Sequence, residues 1–477
     1  MKILAIETSC DETSLALIEK CTPLLTSPNL GEEQSQYIVY SHETISQMNL
    51  HREWGGVYPT LSRREHEKNL VPLLHKVLKD ADLIQEKNEK ENLENFGSEV
   101  YAKLGNDIEL LERYPDLKEN TFDFFSKYKL KEKIDYIAVT NGPGLPPALW
   151  VGVNFAKVIS ILLSEKNEPI PLYPINHMEG HIVGAISRTT TSSVSNETAT
   201  PSKEGEPKKH IIEISKIKYP VINLLISGGH TELVLSDKNL SYKKIGETQD
   251  DAVGECFDKV ARMLDLPYPG GPEIGRLAKV GRENLEQLPR HFLSENATPS
   301  KEGEFPRIGK FPRPMLHSGD LNFSFSGLKT HILYLVQKIK ATLSHSLREL
   351  PSPEERAVEQ QEIETKEINL TEEIKIQIAT EFEYTVRDIL ISKTKKAILE
   401  HSAQTLVVGG GVASSPFLRE NFLKLGEELD IETFISNKTL STDNALMIAL
   451  CAANKIENGI LPNNDFIAVG SKHYEWE

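Results

Sequence analysis

Long apolar runs are missing from this sequence. None approaches the roughly 20 residues needed to span a bilayer. The opening residues, Met1-Lys2-Ile3-Leu4-Ala5-Ile6-Glu7, lack a secretory apolar stretch and read as a first strand. A cytoplasmic protein with no membrane partner is the expectation. Cysteine is scarce. Cys10, Cys21, Cys256 and Cys451 form neither a CxxC pair nor a zinc-finger spacing. Reduced thiols are expected, with Cys10 a small packed residue. Positive charge is also in deficit, with 54 Lys and Arg against 70 Asp and Glu and a net charge of −16. Such a balance opposes nonspecific binding to a polyanion. An RNA substrate would need a local basic patch or a partner protein.

What is present is an α/β pattern. The chain has 477 residues, 39% of them hydrophobic, enough for two domains with extra segments. Residues 2–7 and 13–19 read as strands joined by the turn Thr8-Ser9-Cys10-Asp11-Glu12. The same plan returns at 221–226 and 231–235, joined by Ser227-Gly228-Gly229-His230. Further strands are predicted at 134–139, 405–408 and 431–435. Helices are predicted at 61–83, 151–163, from about 415, and at 443–456. Alternating elements imply an α/β fold, and the repeated strand-turn-strand implies two related lobes.

The expected division is an N-terminal lobe over 1–172, a C-terminal lobe over 173–455, and a tail, 456–477, returning to the first lobe. A Glu-, Lys- and Asn-rich stretch, 84–131, is expected to be a helical surface insertion. Polar stretches at 189–216, 290–306 and 346–366 read as loops. The octapeptide Ala-Thr-Pro-Ser-Lys-Glu-Gly-Glu occurs in two of them, at 199–206 and 297–304, as sequence-tolerant linkers do.

The sharpest local signal is Asn176-His177-Met178-Glu179-Gly180-His181. Histidines at i and i+4 share one helix face and can ligate one metal ion. Packing or solvated surface is the commoner fate of this spacing. Two imidazoles also need a third ligand. Asp443 is the candidate, although Asp at a helix start is ordinarily an N-cap.

Glycine turns are the second signal. Leu225-Ile226-Ser227-Gly228-Gly229 can offer backbone amides to phosphate. Tyr268-Pro269-Gly270-Gly271-Pro272 and Gly409-Gly410-Gly411 each precede a helix whose N-terminus favours anions. Acidic residues are the third. Glu7, Asp11 and Glu12 cluster at the first turn. Asp251, Glu255 and Asp258 share a predicted helical face, from which Asp258 could accept bonds from ribose hydroxyls. A solvated face is the commoner fate of such acids.

Taken together the motifs closely resemble the TsaD family, the tRNA N6-adenosine threonylcarbamoyltransferases once called O-sialoglycoprotein endopeptidases or glycoproteases. The matching segments are Ile6-Glu7-Thr8-Ser9-Cys10-Asp11-Glu12-Thr13, Asn141-Gly142-Pro143-Gly144-Leu145, His177-Met178-Glu179-Gly180-His181, Ser227-Gly228-Gly229-His230-Thr231, Gly254-Glu255-Cys256-Phe257-Asp258-Lys259, Tyr268-Pro269-Gly270-Gly271-Pro272, Asn322-Phe323-Ser324-Phe325-Ser326-Gly327-Leu328-Lys329-Thr330, Gly410-Gly411-Val412-Ala413 and Thr442-Asp443-Asn444. They run in family order along nearly the whole chain.

The resemblance implies the actin-like ATPase fold, with two RNase H-like lobes around a nucleotide cleft. It implies one divalent metal, Fe2+ with Zn or Mg as alternatives, on His177, His181 and Asp443. Substrate binding is implied for Leu225, Ile226, Ser227, Gly228, Gly229, Asp258 and Gly271. Asp11 and Glu12 are the candidate acid–base residues. The implied reaction moves threonylcarbamoyl from threonylcarbamoyl-AMP to N6 of the adenosine next to the anticodon, in tRNAs reading codons that begin with A. Implied partners are a metal-motif-free paralogue (TsaB-like) and a small ATPase (TsaE-like).

Two positions depart from the family pattern. Ser415 stands where relatives often have a ligand-contacting Asn, and Gly275 where they often have an acid. Two rival functions fit the sequence less well. A metalloprotease would need His-Glu-x-x-His, whereas Glu179 stands one position further on, about 100° around the helix. A noncatalytic actin-like scaffold or ATPase would not need both histidines and the aspartate.

Overall fold

The computed structural model describes residues 1–21, 35–52, 56–87, 96–164, 168–190, 210–286, 308–348, 370–437 and 439–470. Both octapeptides, and most of the three polar stretches, lie outside these residues. The chain forms two compact units. One comprises Met1–Tyr219, Val407–Gly411 and Phe434–Glu477, the other Pro220–Leu406 and Val412–Thr433.

The first unit is built on a seven-stranded sheet. Its strands are β1 (Lys2–Glu7), β2 (Glu12–Lys20), β3 (Gln36–Ser46), β6 (Tyr136–Gly142), β7 (Leu172–Asn176), β8 (Ser187–Thr190) and β9 (His210–Ile214), in the order β7-β6-β1-β2-β3-β9-β8. β1 runs antiparallel to β2 and parallel to β6, which runs parallel to β7. The mixed sheet is covered on both faces, so its central strands are apolar almost throughout. Leu4, Ile6, Leu15 and Leu17 join a core with Leu70, Leu74 and Val77 of the helix Pro59–Asp80 and with Phe155 of the helix Pro146–Leu162. Residues alternate between faces. Ile3, Ala5, Ala16 and Ile18 are equally buried, and the helix Ala445–Glu457 packs against β1 and β2.

Stretch 84–131 differs from the surface insertion expected of it. It contains the two-stranded ribbon β4 (Ile84–Glu86) and β5 (Tyr128–Leu130) and short helices including Pro115–Lys127. Its charged residues face outward, but Leu104, Leu111, Leu117 and Phe124 enter the unit's main core. Each such side chain contributes about 1.5–3 kcal/mol when buried. At the other end of the chain, Phe466 joins the same core and Val469 N donates to Asn141 O at 2.7 Å.

The second sheet contains β10 (Val221–Ile226), β11 (Thr231–Ser236), β12 (Tyr242–Glu247), β13 (Thr405–Gly409) and β14 (Glu432–Ile435), in the order β12-β11-β10-β13-β14. β10 and β11 are antiparallel about the Ser227–His230 turn, as β1 and β2 are about theirs. The long helix Glu372–His401 lies along Gly270–Glu286. Gly281 permits that approach, since a Cβ there would fall 2.0 Å from Thr380 Oγ1. Among the described residues, no helix is long and apolar enough to cross a membrane.

Candidate functional site

In the first unit the sheet delivers β7 into the helix His177–Ile186. Asn176 caps it, with Oδ1 accepting from Met178 N at 2.8 Å. Helix periodicity then stacks His177 and His181, their ring centroids 4.7 Å apart. The third ligand candidate comes from the far end of the sequence. The helix Ala445–Glu457 is capped by Asn444, whose side chain accepts from Met447 N at 2.9 Å. Asn444 does the capping, which leaves the Asp443 carboxylate free. Ser14 Oγ on β2 accepts from Ala445 N at 2.9 Å and fixes where that helix begins. Asp443 Oδ1 lies 3.3 Å from His177 Nε2 and 3.2 Å from His181 Nε2.

One ligand atom from each of the three residues lies within 4.8 Å of the others, so they could hold one metal ion. The residues fit such a group on two counts. Donors 3.2–3.3 Å apart suit adjacent ligands of an ion with bonds of about 2.1 Å. His181 Nδ1 is buried without a hydrogen-bond partner among the described residues, and Nε2 faces only the Asp443 carboxylate. Orphaned polar atoms at such depth are rare, and a bound cation would satisfy Nε2.

Glu7 stands behind the site. Its Oε2 lies 3.0 Å from His177 Nδ1, and it also accepts from Thr140 Oγ1 and Ser9 N. In the neutral ring, donation from Nδ1 to Glu7 leaves the lone pair on Nε2, the nitrogen that faces Asp443. Burial pushes Asp443 upward, but the two imidazoles outweigh it and hold the carboxyl well below the usual range. Burial pulls His177 down, but Asp443 and Glu7 outweigh it and raise it well above an ordinary imidazole. His181 is lowered by its burial.

The acidic turn belongs to this unit too. Burial raises Asp11, and burial with Asp11 beside it raises Glu12 well above an ordinary carboxyl. The charge of Asp443 is felt at both. Sequence reasoning missed the network that holds this turn. His66 Nδ1 meets Thr13 Oγ1 at 2.8 Å, and His66 Nε2 meets Cys10 O at 3.1 Å. Gln47 N donates to Asp11 O at 2.9 Å. The i+4 relation of Ser62 and His66 was a weak available cue.

Glu179 has another task. Its Oε2 is paired with Lys455 Nζ at 2.8 Å and lies 3.8 Å from Cys451 Sγ. A carboxylate held there is no zincin base.

Two of the glycine turns, at Ser227–His230 and at Tyr268–Pro272, lie in the second unit, whereas Gly409–Gly411 is grouped with the first. Leu225 and Ile226 are wholly buried, so only their backbones can serve a ligand. Ser227 N donates to His230 O at 2.9 Å and Ser227 Oγ accepts from His230 N at 3.1 Å. No atom lies within 4 Å of a Cβ built on Gly228, Gly229 or Gly271, among the described residues. Asp258 Oδ1 accepts from Gly270 N at 2.7 Å and so braces the next turn. Asp251 precedes its helix, whose N-cap is Ala252, and is taken up by Lys259 and Lys329 at 2.8 and 2.6 Å. The expected acidic face of three residues is thus a fastening, with Asp258 left as the site candidate.

These paired α/β units have the actin-like ATPase fold class, with a possible His/Asp metal site in the first of them. The family model for tRNA N6-adenosine threonylcarbamoyltransferase, TsaD, matches residues 38–89, 120–194 and 208–450. A relative of that name from Thermosipho africanus (strain TCF52B) is 32% identical, with 98% of each chain covered. One from Persephonella marina (strain DSM 14350 / EX-H1) is 32% identical over 94% of this chain and 88% of its own. A third, from Ralstonia pickettii (strain 12J), is 29% identical over 96% and 92%. The chain belongs to the tRNA N6-adenosine threonylcarbamoyltransferase family. Its reaction is the transfer of a threonylcarbamoyl group to N6 of a tRNA adenosine, and tRNA is its macromolecular substrate.

Proposed function

We propose that His177, His181 and Asp443 would hold one divalent ion, Fe2+ in the cell, and that the chain transfers threonylcarbamoyl from threonylcarbamoyl-AMP to the adenosine next to the anticodon. The tRNAs are those reading codons that begin with A. The observation that carries this reading is the convergence of the three side chains, with His181 Nδ1 unpartnered and Nε2 facing only Asp443. When bound, the ion supplies Lewis acidity and a template for donor oxygens.

The remaining work belongs to the chain. Glu7 orients His177. The amides of the Ser227-Gly228-Gly229 turn, the Gly270-Gly271 helix start and Asp258 hold the nucleotide part of the donor. The exocyclic N6 lone pair attacks the carbamoyl carbon, the bond to the phosphate oxygen breaks, and AMP departs. N6 loses one proton, which Asp11 or Glu12 accepts. Both carboxyls have raised proton affinity, which suits an acceptor. An aromatic amine is a poor nucleophile, so positioning must supply much of the rate. The net charge of −16 leaves RNA attraction to a local patch or to partners. A metal-motif-free paralogue and a small ATPase in the cytoplasm are the partners proposed.

The test is reconstitution with donor, tRNA and partners, followed by nucleoside analysis and metal quantification. His177→Ala should lose both bound metal and product while its melting transition stays cooperative. Wild-type turnover by a metal-depleted His177→Ala preparation would end the proposal.

A further inference from the structure

The helix Ser326–Arg348 in the second unit carries Lys329, Lys338, Lys340 and Arg348 and no aspartate or glutamate. The chain around it has 70 acids against 54 bases. The helices Pro59–Asp80 and Glu372–His401 mix both signs along their lengths, as solvated faces do. Leu328, Ile332 and Val336 are buried, and the helix packs against its neighbour, Val253–Met263. Its outward side repeats every three or four residues. Thr330, His331, Tyr334, Gln337, Lys338 and Ala341 are all exposed and form one stripe about 16 Å long.

Tyr334 stands 65% exposed in the middle of the stripe. Among the described residues, neither its hydroxyl nor the Lys338 ammonium has a partner, and the acids paired with this helix hold other positions. Asp250 accepts from Phe325 N at 2.8 Å and from Ser326 N at 3.2 Å. Asp251 takes Lys329 at 2.6 Å, and Asp265 takes Lys340 at 3.4 Å. An exposed ring and an unpaired cation one helical turn apart suit a nucleic acid, the ring face for a base and the cation for a phosphate. The stripe also starts beside the glycine turn. Asp250 and Asp251 lead directly into Val253–Met263, whose Gly254 N donates to Ser227 O at 3.2 Å.

We propose that this stripe binds the substrate tRNA, with Tyr334 stacked on an unpaired base of the anticodon loop and Lys338 against a backbone phosphate; this rests on the reading of the Ser227 turn as the donor's nucleotide site. Charge complementarity selects RNA as the occupant. A net charge of −16 repels a polyanion from the chain at large, and on this helix the acids drop out. Stacking on a ring face tolerates any base, which suits one enzyme serving several tRNAs.

The experiment is fluorescence anisotropy of a labelled, unmodified transcript of a tRNA reading a codon that begins with A. It is titrated with the full chain and the proposed partners, without donor, over a range of salt. Tyr334→Ala should weaken binding about tenfold, and Tyr334→Phe, which keeps the ring, should not. Lys338→Ala should weaken binding and lower the slope of log affinity against log salt by about one. Both side chains are exposed, so the variants should melt as wild type does. Wild-type affinity in Tyr334→Ala, or an unchanged salt slope in Lys338→Ala, would overturn the inference. So would a deficit that vanishes when partner protein is raised to saturation, because the stripe would then dock protein. AMP affinity, measured alongside, should be the same in all variants. Wild type that binds AMP, with tRNA affinity indifferent to both positions, sinks this inference alone. Wild type that binds no AMP, yet loses tRNA with Tyr334→Ala, sinks only the nucleotide reading beneath it.

Discussion

Glu7 Oε2 lies 3.0 Å from His177 Nδ1, and this contact decides which nitrogen of the imidazole faces Asp443. The histidine and aspartate have the geometry to receive a cation only because a second carboxylate holds the ring from behind. Glu7→Gln preserves side-chain volume in a wholly buried position but removes the charge. Metal affinity should fall about 10–100-fold, measured by chelator competition, with the melting transition still cooperative. Unchanged affinity would mean that Glu7 does not set the tautomer.

Metal-free and metal-loaded protein should respond oppositely to pH. His177 is raised in the folded metal-free state because Asp443 and Glu7 outweigh its burial. A raised folded value contributes stability that is complete below the unfolded value of about 6.5 and is lost as pH rises through the folded one. His181 is lowered, so it is neutral in both states above about 6.5 and does not oppose this trend. Metal-free protein should therefore lose Tm from about pH 6.5 upward. Metal binding requires unprotonated imidazoles and strengthens over the same range. At saturating metal the Tm curve should rise or stay flat. Parallel curves would argue against His177 as a ligand.

Gly254 begins the second unit's site helix in close contact with the Ser227 turn. A Cβ there would fall 2.6 Å from Ser227 O and 2.8 Å from Gly228 Cα, both backbone atoms with little freedom to yield. Gly254→Ala should destabilise by about 1–3 kcal/mol through overpacking, read by urea unfolding. AMP affinity should fall with it, because the displaced segment is the one proposed to offer its amides.

His66 bridges Thr13 Oγ1 and Cys10 O inside the first unit. His66→Ala should leave the buried Thr13 hydroxyl unpaired, at about 1–3 kcal/mol, while Cys10 O keeps its bond from Ser62 Oγ, and should impair transfer by loosening the Asp11–Glu12 turn. Burial pulls the His66 value down to about 4. The unfolded chain therefore binds this proton first, and stability falls as pH drops from about 6.5 toward 4. In His66→Ala that contribution to the acid slope should vanish.

The strands that carry the two turns were legible because each is a short apolar run ending in small polar residues. The predicted 221–226 coincides with β10, and 2–7 with β1. β3 was not anticipated: its apolar run, Tyr37-Ile38-Val39-Tyr40, is only four residues long and continues into the polar Ser-His-Glu-Thr without the small-residue turn that marks the other strands. The stretch 84–131 misled for a related reason. Its charged residues dominate composition, while Leu111, Leu117 and Phe124 are spaced widely enough to escape notice before they meet the core. His177 and His181 announce themselves by helical spacing. Asp443 does not, because the neighbouring Asn444 could cap the helix equally well, and which residue does so is a matter of backbone geometry.

Ser14 on the second strand receives the amide of Ala445, so the third candidate ligand is positioned by a residue made long before it. A ribosome that has translated both histidines has still to produce Asp443, more than two hundred and fifty residues later. Until then the nascent chain presents two imidazoles and no partner, and a captured ion would be weakly held. On the proposed reading, firm retention of an ion therefore waits on the synthesis of Asp443.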